Sequence, residues 1–121
     1  MARILIIDDE EYVRMTLSQA MEDEGHTVQL ATNGREGLAI YKDAAPDLVI
    51  TDVLMPEKEG IETIIELRKL NNAIKIIVIS GGGRLNNIDF LEVARKFGAS
   101  AALKKPFPID DLCRAVAACL N

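Results

Sequence analysis

The chain has 121 residues, 49% of them hydrophobic and 27% charged, with a formal net charge of −5. That length and composition suit one globular domain and exclude a disordered segment. The acidic balance, with no basic stripe, argues against nucleic-acid binding, and no apolar run approaches the ~20 residues that span a bilayer. The N-terminal apolar run, Ile4-Leu5-Ile6-Ile7, is too short for a signal peptide, so the expectation is a cytoplasmic protein with no membrane contact. The two cysteines, Cys113 and Cys119, lie six positions apart in one expected helix. They point to different sides, which makes a disulfide between them untenable.

In chain order the pattern is strand then helix, five times over. Ile4–Ile7 is continuously apolar, as a strand buried on both faces must be, and it ends on Asp8-Asp9. A helix follows over about Glu11–Glu24, with Val13, Leu17, Ala20 and Met21 at helical spacing. Met15 is also assigned to the core. Gly25 suits a left-handed cap. His26 is assigned to the surface at the start of an edge strand, Thr27–Ala31. Asn33-Gly34 leads into a second helix that ends near Ala45-Pro46. The third strand, Asp47–Asp52, again ends on an acid. After a loop around Pro56–Gly60, Ile61, Ile64 and Ile65 begin a third helix. Ile74–Ser80 is the fourth strand, broken by Gly81-Gly82-Gly83. A fourth helix is expected from about Asn86 to Phe97, closed by Gly98. Ala101–Lys104 is a short fifth strand and Lys105-Pro106 a turn. In the last helix Ile109, Leu112, Val116 and Leu120 share one face, and Asp110 and Asp111 sit at its positive end.

Alternating strands and helices predict a doubly wound α/β domain over residues 1–121: a five-stranded parallel sheet flanked by five helices. In such sheets function gathers at the carboxyl ends of the strands. Here those ends carry Asp8-Asp9, Asp52 and Ser80, with Lys105 just beyond the fifth strand. Three carboxylates in one small pocket repel one another, and a hard divalent cation relieves the repulsion. An oxygen-only donor set suits Mg²⁺, which takes one or two carboxylates together with a phosphate. Lys105 is a point-charge phosphate binder, and Ser80 offers a hydroxyl to a phosphoryl oxygen. Gly81 leaves room for close approach. One of the acids can act as a nucleophile and form an acyl phosphate.

The motifs Ile7-Asp8-Asp9-Glu10, Asp52-Val53-Leu54-Met55-Pro56, Gly60, Ser80-Gly81 and Gly98-Ala99…Lys105-Pro106-Phe107 together resemble the receiver domain of two-component response regulators, of the chemotaxis-regulator type. The resemblance covers essentially the whole chain. It implies a flavodoxin-like strand order, 2-1-3-4-5. It implies phosphorylation of Asp52 by a phosphohistidine on a sensor histidine kinase or phosphotransfer protein. Mg²⁺ would be held by Asp9 directly, Asp8 through water, Asp52, and the Leu54 backbone carbonyl. Ser80 would be the switch hydroxyl, with Gly81 beside it, and Lys105 the phosphate-binding lysine, while Lys104 falls to the surface.

The same resemblance implies an output face on the fourth helix, fifth strand and fifth helix. That face would be read by a downstream effector protein, with the chain a monomer or a weak phosphorylation-dependent dimer. Two positions depart from the family pattern. Ala102 stands where an aromatic often swings inward, which shifts the expected output to the Ser80 loop. Leu54 is apolar where many relatives are polar, which is expected to alter water access to the acyl phosphate.

Two other classes compete. A Mg-dependent phospho-aspartate phosphatase of the haloacid-dehalogenase type wants an acid two residues after its nucleophile. Leu54 occupies that place after Asp52, and Glu10 after Asp8 lies on a helix start. A flavodoxin wants a hydroxyl-rich phosphate loop after the first strand, where Asp8-Asp9 would repel a phosphate.

Overall fold

The computed structural model describes residues 2–52, 59–80, 84–85, 88–89, 92, 95–96 and 98–120. The strands are β1 (Arg3–Ile7), β2 (Thr27–Ala31), β3 (Leu48–Asp52), β4 (Lys75–Ser80), β5 (Arg84–Leu85), β6 (Ile88–Asp89) and β7 (Ala101–Lys104). The helices are α1 (Glu11–Asp23), α2 (Gly34–Asp43), α3 (Glu59–Leu70) and α4 (Ile109–Leu120). Five of the strands form one parallel sheet in the order β2-β1-β3-β4-β7. This is the expected 2-1-3-4-5 order, with β7 as the fifth strand. No helix among the described residues is long and apolar enough to cross a membrane.

The apolar runs work as a two-faced core. Leu5, Ile7, Val49, Ile76 and Val78 join Tyr41, Ile64 and Leu67 on the α2–α3 side. Ile4, Ile6, Leu48, Ile50, Ile77 and Ile79 join Leu17, Met21, Leu112 and Val116 on the α1–α4 side. Successive side chains of a strand point to opposite faces, so a strand covered on both sides has to be apolar throughout. Helix ends follow local chemistry. Gly25 takes φ 89° just beyond α1, as expected. Asn33 caps α2 by accepting from Glu36 N at 2.8 Å, and Glu36 Oε1 returns to Thr32 N at 2.9 Å, a reciprocal cap.

The sequence expectation differs from the structure at four places. Arg84–Leu85 and Ile88–Asp89 pair antiparallel, so the expected fourth helix is replaced by strand at Ile88–Asp89, while its expected ends, Asn86 and Phe97, lie outside the described residues. Helical backbone is found later, at Glu92, Arg95 and Lys96, and four complete helices rather than five are present among the described residues. Met15 is 57% exposed: it is two positions from both Val13 and Leu17, and so on the opposite side of α1 from the core stripe. Ile109 is also exposed, at the first position of α4, beyond the reach of the core. His26 is half-buried, and its Nδ1 accepts from Ala2 N at 3.1 Å.

Candidate functional site

Strand register assembles the site. Ile7 pairs with Thr51, Asp52 with Ile79, and Ser80 with Lys104. Asp8, Asp52, Ser80 and Lys105 therefore follow one another across the carboxyl edge of four adjacent strands. Alternation then sorts their sides. Ile6, Ile50 and Leu103 face the α1–α4 layer, and two positions further along each chain stand Asp8, Asp52 and Lys105. Lys104 has the opposite parity and is exposed, as expected.

The result is a tight acidic pocket. Asp8 is fully buried and Asp52 is 4% exposed. One carboxylate oxygen each from Asp8, Asp9, Glu10 and Asp52 lies within 4.8 Å of the others. Lys105 Nζ stands 3.2 Å from Asp52 Oδ2, 3.5 Å from Asp8 Oδ2 and 3.9 Å from Glu10 Oε1. Asp8 Oδ1 accepts from Glu10 N at 2.9 Å. Ser80 is fully buried, and its carbonyl accepts from Lys105 N at 2.7 Å, which ties the fourth and fifth strands together at the pocket. The Lys105–Pro106 peptide is cis.

Burial raises the Asp8 pKa above the ordinary carboxylate value, and the neighbouring Asp52 and Asp9 charges add to the rise. The Glu10 N–H and the Lys105 ammonium oppose it without cancelling it. For Lys105, burial works against the charged form, but Asp52, Asp8 and Glu10 together outweigh it and raise its pKa. A buried carboxylate under such strain beside a fixed ammonium marks a place built for something other than stability.

The geometry brings Asp8, Asp9, Asp52 and Lys105 into one group; Ser80 ends the neighbouring strand with the parity of Val78 and joins the site through its backbone carbonyl. Leu54 and Gly81 lie outside the described residues. Ala102 pairs with Val78 and packs, half-buried, on the α2–α3 side of the sheet. Two residues near the pocket were assigned no site role from the sequence, although Glu10 stood in the first motif. Glu10 contributes a fourth carboxylate, and Arg14 Nη1 donates to the Asp8 carbonyl at 2.7 Å. The signal for both was position: they fall in the first turns after a strand that ends on acids.

A family description, response regulator receiver domain, matches residues 4–117. The chain belongs to this family. As a receiver domain it is 42% identical over 106 residues to the chemotaxis protein CheY of Thermotoga maritima, covering 87% of this chain and 86% of that protein. It is 32% identical over 114 residues to the sporulation initiation phosphotransferase F of Bacillus subtilis, covering 94% and 90%. The crystal structure of a response regulator receiver domain protein from Clostridium thermocellum superposes with a TM-score of 0.89 at 33% identity, over 100% of this chain and 95% of that one.

Proposed function

We propose that the receiver domain is a phosphorylation-controlled switch whose acceptor is Asp52. The observation that carries this reading is the placement of a nearly buried Asp52 carboxylate against Lys105, within a cluster of three further acids. The donor is a phosphohistidine on a sensor histidine kinase or phosphotransfer protein; phosphoryl transfer as such accords with the B. subtilis relative's name, a phosphotransferase. An Asp52 oxygen bonds to phosphorus as the phosphorus–nitrogen bond breaks, and the leaving imidazole takes up a proton. Lys105 Nζ offsets the charge of the incoming phosphoryl oxygens, and the Ser80 hydroxyl donates to one of them. Gly81 keeps the approach open.

The donor set fits Mg²⁺. It is all oxygen, and ligands at about 2.1 Å from a cation need separations of at most about 4.2 Å, within a small side-chain adjustment of the 4.8 Å limit seen here. Asp8, Asp9, Asp52 and the Leu54 carbonyl would hold it. When bound it neutralises phosphoryl oxygens as charge gathers. The chain then catalyses only its own phosphorylation and dephosphorylation. Phosphorylation alters the Ser80 end of β4 and, through it, a face made of the segment after β4 together with β7 and α4, which a separate effector protein reads. The setting is cytoplasmic, and the chain is monomeric or weakly dimeric when phosphorylated.

Intact-protein mass after incubation with acetyl phosphate and Mg²⁺ tests this. The expected result is a gain of one phosphoryl group, prevented by prior chelation and absent in Asp52→Asn. A gain that persists in Asp52→Asn, or no gain with any donor, would remove Asp52 as acceptor.

A further inference from the structure

Asp8 is buried, and each of its polar groups is held from a different place. Its N–H donates to Ala31 O at 3.1 Å, and its two carboxylate oxygens meet Glu10 N and Lys105 Nζ. Its carbonyl is the exception, because no strand can reach it. The β1–β2 ladder ends at Ile7 and Ala31. A continued parallel ladder would bring Asn33 N to it, but beyond Ala31 the chain leaves the sheet and Asn33 instead caps α2, accepting from Glu36 N. A side chain fills the gap: Arg14 Nη1 donates to the Asp8 carbonyl at 2.7 Å. Arg14 is half-buried in the first turn of α1, and its own N–H is taken by Glu10 O at 3.0 Å.

The Asp8 carbonyl and the Asp9 N–H belong to one planar peptide. Fixing the carbonyl fixes that plane, and with it the direction in which Asp9 leaves the strand. The Asp8 carboxylate has two holders of its own and does not depend on Arg14. The Asp9 carboxylate is exposed, and among the described residues it has no hydrogen-bond partner, so the peptide plane is what aims it.

We propose that Arg14 is a positioning residue for the acidic pocket: by clamping the Asp8–Asp9 peptide it presents the Asp9 carboxylate to the cation. This rests on the metal-binding reading above. The inference has a useful sign. Arg14 is itself a cation beside the cluster, and its charge alone repels a divalent ion. Removing it strengthens Mg²⁺ binding if it is only a neighbouring charge, and weakens binding if it positions Asp9.

The test is calorimetric titration of the unphosphorylated protein with Mg²⁺ at fixed salt, alongside thermal unfolding in chelator. Arg14→Met is expected to weaken Mg²⁺ binding roughly tenfold, the low end for an outer-sphere partner. Arg14→Lys, which retains a charged donor, is expected to recover most of the loss. In an Asp9→Asn background Arg14→Met is expected to add nothing, because the group it aims is gone. Unchanged or tighter binding by Arg14→Met overturns the proposal, as does an equal loss in the Asp9→Asn background. If Arg14→Met does not fold, Arg14→Leu, which also has no donor, carries the same comparison. Absence of Mg²⁺ binding by the unaltered protein would overturn the metal reading and this proposal together. A failure confined to the Arg14 variants leaves the metal reading standing.

Discussion

At the amino ends of the strands, polar groups meet partners of matching kind; at the carboxyl ends, four carboxylates crowd together and three of them share one ammonium. Asp47, just before β3, accepts from Arg3 N and donates its own N–H to Arg3 O, both at 2.8 Å. Thr27 N donates to Ala2 O at 2.9 Å, and His26 Nδ1 accepts from Ala2 N. These contacts are centred on the backbone, and each donor there meets one acceptor. At the other end Asp8 and Asp52 are buried, and Lys105 is shared among three acids. One end closes the sheet; the other holds charge that folding alone would not retain. The contrast separates stability from function along a single strand direction, and substitutions can be chosen to test each end.

The largest effect is expected from Lys105→Met. Without its ammonium the carboxylates repel unopposed. Breaking a fully buried pair costs about 3–5 kcal/mol, and this site is open on one side. A loss of roughly 2 kcal/mol in chelator, mostly restored by Mg²⁺, is expected from thermal unfolding. Phosphoryl acceptance is expected to fall by orders of magnitude. Unfolding that ignores Mg²⁺ would contradict the assignment of these acids to one shared site.

Asp8→Asn should do the reverse and stabilise the metal-free protein. The folded-state pKa of Asp8 is raised, so its contribution to stability is best when it is protonated and is lost as pH rises through the folded value. The gain from Asp8→Asn, read by denaturant unfolding in chelator, should be seen at pH 7 and vanish below the unfolded carboxylate value of about 4. An equal gain at both pH values would show that charge is not the cause. The variant is expected to lose Mg²⁺ affinity at the same time.

The smallest effect belongs to the amino ends. Asp47→Ala removes one exposed hydrogen bond to Arg3 N and should cost under about 1 kcal/mol, with phosphorylation unchanged. A measurable fall in phosphorylation by intact mass would blur the division between the two ends.

Much of this was legible in the sequence because it depends on short-range rules. Continuous apolar runs gave the buried strands, and their acidic ends placed Asp8 and Asp52 on one edge. The intervals to Ser80 and Lys105 then completed the row. Gly25 and the two unbridged cysteines also behave as their local chemistry requires. What escaped depends on other information. The Arg84–Leu85 and Ile88–Asp89 strands are only two residues each, too short for a period-2 pattern to show, in a stretch that also fits a helical period. Met15 is apolar but lies off the buried stripe, which only the orientation of α1 reveals. Arg14 reads as a surface charge until the end of the β2 ladder shows that the Asp8 carbonyl lacks a strand partner.

The most direct test of the central claim is to locate the phosphoryl group. After phosphorylation, borohydride reduction converts an acyl phosphate of aspartate to homoserine, which peptide mass mapping places in the chain. The account predicts homoserine at position 52 and at neither Asp8 nor Asp9. Homoserine at position 8 or 9, with Asp52 untouched, would contradict it.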